Sequence, residues 1–199
     1  MVRMVTVGVL MAIAGSATAE PPYPSRPIRF ITAYAPGGAT TIIASSTLTI
    51  VGASSSSGVT LNTPNTMLIL GNTASLGLGT LTVANSFAGP GTLAAIGTVV
   101  TANPVAANTD FNFGGTGALT IGAVTVSGAR TITNTNTTDV STIGSITSTA
   151  ASSLAFSGNG NTTVAGVIGG GSGITTLTKN GTGTLTTGEL AVSRLMPIG

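Results

Sequence analysis

The chain has 199 residues, only 5% of them charged, and a formal net charge of +2 from six basic and four acidic side chains. It contains no His, Cys or Trp. Those absences exclude disulfides, Cys or His metal sites and Ser-His-Asp or Cys-His catalysis, and six cations are too few for the phosphate-facing surface of a nucleic-acid binder.

Residues 1–19 read as an export signal. Arg3 supplies the positive start, Val5 to Ala14 the apolar stretch, and Ala17-Thr18-Ala19 the small-x-small cleavage site, so the mature chain is expected to begin at Glu20. The apolar stretch is shorter than the roughly 20 residues needed to cross a bilayer, and no later run reaches that length, so no membrane span is expected in the mature chain.

Residues 20–43 form a Pro- and Arg-rich segment. It holds both tyrosines, Tyr23 and Tyr34, and two of the six basic residues, Arg26 and Arg29. Ile28 to Tyr34 alternates weakly and predicts one strand, which Pro36-Gly37-Gly38 ends in a turn.

Residues 44–187 have another texture, of Thr, Ser, Gly, Asn, Ala and small aliphatic residues. The whole chain has 37 Thr and 29 Gly, and from Thr40 to Thr187 the only charges are Asp110, Arg130, Asp139 and Lys179. Period-2 alternation and β-branched runs predict strands at 47–51, 59–61, 67–70, 80–83, 93–100, 110–113, 118–121, 124–126, 130–133, 141–147, 153–157, 162–168, 175–178 and 183–186. Gly-Asn, Asn-Gly, Gly-Gly and Ser-Gly pairs between them predict turns. No segment keeps helical spacing, so the region is predicted to be nearly helix-free. Residues 188–199 (GELAVSRLMPIG) change texture again and predict a tail or cap, with helical potential limited to Glu189–Met196 before Pro197.

The fold class is therefore all-β. A solenoid is favoured over a sandwich because charge and aromatic bulk are scarce, whereas Val, Ile, Leu, Thr and Asn suit ladders in which each coil stacks on its like. The phrases GTLTV (79–83), GALTI (117–121) and GTLTT (183–187) are related, at unequal spacing. A repeat of roughly 20 residues fits, giving six or seven coils that each rise by about 4.8 Å.

Two stretches carry a resemblance. Residues 110–137 (DFNFGGTGALTIGAVTVSGARTITNTNT) and 164–186 (VAGVIGGGSGITTLTKNGTGTLT) resemble the autotransporter-associated β-strand repeat, whose closing phrase matches Leu177-Thr178-Lys179-Asn180-Gly181-Thr182-Gly183-Thr184-Leu185. The resemblance implies a right-handed parallel β-helix with irregular repeats, displayed at the cell surface or secreted as a passenger, with a structural or adhesive role and no catalysis. Such passengers precede a C-terminal translocator barrel. None is present here, which implies a fragment, a chimeric frame or another export route.

Residues 23–40 (YPSRPIRFITAYAPGGAT) resemble the start of tripartite tricarboxylate transporter solute-binding proteins. That second resemblance implies a truncated periplasmic binding protein, with Tyr34, Ala35, Pro36, Gly37, Gly38, Ala39 and Thr40 at a carboxylate site. The Asp that the family carries shortly after this turn is missing, since Thr41 follows Thr40.

Other motifs have plainer readings. Gly169 to Gly173 lacks the Lys-Ser/Thr of a phosphate loop, and both this run and Gly114-Gly115-Thr116-Gly117 lack the Asp of a calcium nonapeptide. Turns are expected instead. Asp110 and Asp139 predict a solvated turn or an ion pair with Arg130. Thr-x-Thr units start at Thr47, Thr80, Thr131, Thr176 and Thr184. Their unequal spacing predicts that Thr solubilises a β-surface and that no flat ice-binding array forms. The chain is thus expected to have no catalytic site, metal, cofactor or nucleic-acid partner. Self-association through open solenoid ends, and a host or surface ligand, are the expected interactions.

Overall fold

A computed structural model describes residues 38–42, 47–62, 65–84, 89–171, 173–192 and 194–195. The expected signal segment and the strand expected at Ile28 to Tyr34 lie outside them. The strands in chain order are β1 Ala39–Ile42, β2 Thr47–Ile50, β3 Gly58–Leu61, β4 Met67–Leu70, β5 Thr80–Val83, β6 Gly91–Ala95, β7 Thr98–Val100, β8 Val105–Ala107, β9 Phe111–Phe113, β10 Ala118–Ile121, β11 Val124–Val126, β12 Arg130–Asn134, β13 Ser141–Ile143, β14 Ile146–Ser148, β15 Ser152–Ser157, β16 Thr162–Gly171, β17 Ile174–Lys179, β18 Leu185–Ala191 and β19 Arg194–Leu195. No helix occurs among the described residues.

Every pairing is parallel, and each strand bonds to the strands one coil before and after it. On face one, β1, β3, β5, β8, β11 and β14 stack in order, and the later parts of β16 and β18 continue the stack. Face two is the stack β2, β4, β6, β9, β12, β15, β17, β19. Face three starts only at β7 and continues through β10, β13 and the opening residues of β16 and β18. Because β16 and β18 run through a corner, they join faces one and three into one sheet. The result is a β-solenoid. The coil length varies: on face one, partners are offset by 19 residues at Ala39 and Gly58 and by 24 at Leu81 and Val105.

The strands are short because the chain must turn a corner after each one, and alternation decides which side chains enter the coil. In β3, β4 and β10 the pattern is half-buried, buried, half-buried, buried, as period 2 requires when one side of a strand faces a core. Val59, Leu81, Val105, Val124 and Ile146 are stacked by register along face one, each at most 3% exposed. Burying one such side chain contributes about 1.5–3 kcal/mol, and the ladder repeats that gain at every rung. The bulkiest buried side chains include Phe111, Phe113 and Phe156. Phe111 and Phe113 meet edge to face, their ring centres 5.5 Å apart, and the register partner of Phe111 one coil earlier is Gly91, which leaves room for the ring.

The corners use polar side chains. Asn136 is 1% exposed; its Nδ2 donates to the Gly117 carbonyl at 2.9 Å, and its Oδ1 accepts from the Thr138 and Asp139 amides, both at 3.0 Å. Asn134 Nδ2 donates to the Asn161 carbonyl and to Thr162 Oγ1 in the following coil. At the corner from face three to face one, glycines recur every 22 residues, at 122, 144, 166 and 188. A methyl group at Gly122 would lie 2.5 Å from the Ala102 oxygen, and one at Gly166 would lie 2.7 Å from the Gly144 oxygen. At those two glycines the coils pass too closely for any side chain, whereas at Gly144 the nearest atom would be 3.1 Å away.

Several expected boundaries shift. The expected strands at 93–100 and 141–147 each divide, at Ile96-Gly97 and at Gly144-Ser145; at the second corner the alternation also changes phase, since Ser141 and Ile143 are buried before it and Ile146 and Ser148 after it. The solenoid also begins earlier than 44, since β1 pairs with β3 over four residues. Nor do the described residues of 188–199 form a helical cap. The chain stays extended through Ala191, with Glu189, Leu190 and Ala191 paired to Val167, Ile168 and Gly169, and β19 pairs with β17. The edge left by β16 and β17 templates further strand there, whatever the local helical preference.

Candidate functional site

Outward positions of the rungs line up as ladders of hydroxyls. On face three, Thr120, Thr142, Thr163 and Thr186 are consecutive register partners, with Val100 before them. On face one the ladder is Thr60, Thr82, Ala106, Thr125 and Thr147. On face two it is Thr47, Met67, Thr92, Asn112, Thr133 and Ser157. Neighbours in a ladder stand about 4.8 Å apart. Their backbone N–H and C=O groups are used in the sheets, so the hydroxyls and small amides are what these faces offer to a partner, and each hydroxyl can both donate and accept.

The Thr-x-Thr units do not stack as units. Those beginning at Thr47, Thr131 and Thr176 lie on face two, that at Thr80 on face one, and Thr186 of the last unit on face three. A sharper signal was present in the sequence: Thr120-Ile121-Gly122, Thr142-Ile143-Gly144 and Thr186-Thr187-Gly188 share one spacing, and Thr163-Val164-Ala165-Gly166 is the same phrase with one residue added. GALTI (117–121) and GTLTT (183–187) stand on the same face three coils apart, whereas GTLTV (79–83) belongs to face one.

The charged residues are spread out, and the side chains of Asp110, Arg130 and Lys179 make hydrogen bonds. The Asp110 carboxylate accepts from the Thr131 amide at 2.9 Å. Arg130 does not pair with it: its guanidinium donates to the Asn108 and Ala129 carbonyls at 2.5 and 2.6 Å, and to Ser127 Oγ at 3.3 Å. Asp110 precedes β9, at the corner leading into face two, and Asp139 precedes β13, at the corner leading into face three, so the fold does not bring the two together. No group of three or more Asp or Glu residues occurs among the described residues in an arrangement able to hold a metal ion.

Of the residues expected at a carboxylate site, Tyr34, Ala35, Pro36 and Gly37 lie outside the described residues. Gly38 accepts the Ser57 amide at 3.1 Å, and Ala39 and Thr40 pair with Gly58 and Val59 as the first rung of face one. The run Gly169 to Gly173 lies where β16 ends and β17 begins. A methyl group at Gly169 would lie 2.1 Å from the Ala191 oxygen, so packing requires a glycine there. Gly114 to Gly117 form the corner from β9 to β10, where a methyl group at Gly117 would lie 2.4 Å from two carbonyl oxygens of the coil before.

These features define a three-faced parallel β-solenoid with hydroxyl-bearing, nearly uncharged ladders. The chain matches no protein-family model, no curated protein and no solved structure.

Proposed function

We propose that the chain works as an exported, non-catalytic passenger-type solenoid, displayed at the cell surface or secreted, whose ladder faces serve structural or adhesive contact. The observation that carries this reading is the chemistry of those faces. They are built from Thr, Ser, Asn and Ala in register, on a scaffold whose few charged side chains largely bond to nearby backbone. Such a surface binds through many weak, repeated hydrogen bonds and fits an extended polymer or another surface better than a single small molecule. The export-type sequence of residues 1–19 supports the location. The transporter-like reading of residues 23–40 calls for an α/β binding protein, and the described residues hold parallel coils from Ala39 onward.

Expression of the full chain in a Gram-negative host tests the proposal. The mature N-terminus should be Glu20, and protease added to intact cells, or assayed on the medium, should reach the coils. Retention of the uncleaved chain in the cytoplasm would overturn it, and cleaved chain confined to the periplasm would favour the binding-protein reading.

A further inference from the structure

The chain has two Asn-Gly pairs, Asn159-Gly160 and Asn180-Gly181, and the solenoid treats them differently. Asn180 is exposed, at the turn from β17 to β18. Gly181 follows because the fold requires it: its φ is +76°, and a methyl group there would lie 2.5 Å from the Gly158 oxygen of the coil before. The amide of Gly181 donates no hydrogen bond among the described residues. Lys179 Nζ donates to the carbonyl of Asn180 at 2.7 Å and to that of Gly181 at 3.0 Å. The other pair is held. Gly160 is buried, its amide donates to the Asn134 carbonyl at 2.9 Å, and a methyl group there would lie 2.3 Å from the Asn136 oxygen.

We infer that Asn180 is a lysine-assisted site of succinimide formation, and so of self-modification by water, while Asn159 is protected. When the Gly181 amide loses its proton to solvent base, the negative charge is shared with the carbonyl oxygen of Asn180. That oxygen already accepts from the Lys179 ammonium, a charge-assisted bond that strengthens as the anion forms. The Gly181 nitrogen then bonds to the side-chain carbonyl carbon of Asn180. The carbon–nitrogen bond of the carboxamide breaks, and the nitrogen leaves as ammonia after taking up a proton from water. Water next opens the five-membered ring at either carbonyl. The products are aspartate, or isoaspartate with one extra backbone carbon, and either places a carboxylate beside Lys179. In the preceding coil the equivalent pair is Ser157-Gly158, because Phe156 is in register with Lys179, and a hydroxyl cannot undergo this step.

The test is peptide mapping of the full chain aged in heavy-oxygen water at mildly alkaline pH. The Asn180 peptide should gain the amide-to-acid mass shift and one labelled oxygen at least several-fold faster than the Asn159 peptide, and in strong denaturant the two rates should converge. Lys179→Met should slow conversion at Asn180 several-fold and leave Asn159 unchanged, and Lys179→Arg should restore most of the rate. Equal native rates at the two pairs, or an unchanged Asn180 rate in Lys179→Met, would overturn the inference.

Discussion

The corner glycines make a demanding prediction, because Gly122 and Gly144 occupy equivalent positions one coil apart and differ only in clearance. A methyl group at Gly122 would sit 2.5 Å from the Ala102 oxygen and 2.6 Å from the Asn103 oxygen. Those carbonyls cannot recoil. Asn103 accepts the Gly122 amide at 3.2 Å, and its own side chain is tied to the Gly77 and Gly79 carbonyls at 3.1 and 2.6 Å. At Gly144 the nearest atoms would be 3.1 to 3.4 Å away, a contact that small shifts relieve. Replacing Gly by Ala stabilises by about 0.4–1 kcal/mol through the unfolded chain where the native backbone tolerates it, and forced overpacking costs about 1–3 kcal/mol. Gly144→Ala should therefore be close to neutral, and Gly122→Ala should destabilise by about 1–2 kcal/mol. For a domain of this size the latter lowers the thermal midpoint by about 2–8 °C. Paired urea and thermal unfolding by circular dichroism measure both. A Gly122→Ala chain as stable as the parent, or a Gly144→Ala chain that is the worse of the two, would refute the close stacking of this corner.

Further predictions follow from the core and the surface. Phe113→Ala should cost about 3–5 kcal/mol, since it removes a ring that is 1% exposed and packed against Phe111, and denaturant unfolding reads this as a lower midpoint. Asn136→Ala should cost about 1–3 kcal/mol in the same assay, because it leaves the carbonyl of buried Gly117 without its partner and removes the bonds to the amides of exposed Thr138 and Asp139. Leu78→Ser, at a side chain 95% exposed, should change stability by less than about 0.5 kcal/mol.

Most strands were legible in the sequence because many of them alternate Thr with Leu, Ile or Val, as β5, β10 and β12 do. The places where the fold departs from that reading share a cause. A corner such as Gly144-Ser145 is only two residues long and shifts the alternation by one position, too small a break in the sequence to separate β13 from β14. β8 (VAA) lacks bulk and shows its role only through its partners Leu81 to Val83. Glu189 to Ala191 and Arg194-Leu195 take their strand conformation from the edge beneath them, which local composition does not encode. The hydroxyl ladders were hidden by the varying coil length. Thr-x-Thr spacing mixes three faces, whereas the 22-residue recurrence of glycine at one corner follows a single one. The reactivity difference between Asn159-Gly160 and Asn180-Gly181 lies in the coil-to-coil bond that holds the Gly160 amide and in the local Lys179 bonds at Asn180, and cannot be read from identical dipeptides.

These coils stack in register, so that residues far apart in sequence stand one rung apart. Nitroxide labels test it most directly: one fixed at position 120, and a second placed in turn at 142, 163 and 186 on face three. The separation should rise in that order by about 4.8 Å per rung, with a span of about 14 Å from 120 to 186. Separations that do not rise in that order, or a broad and much longer distance between 120 and 186, would contradict it.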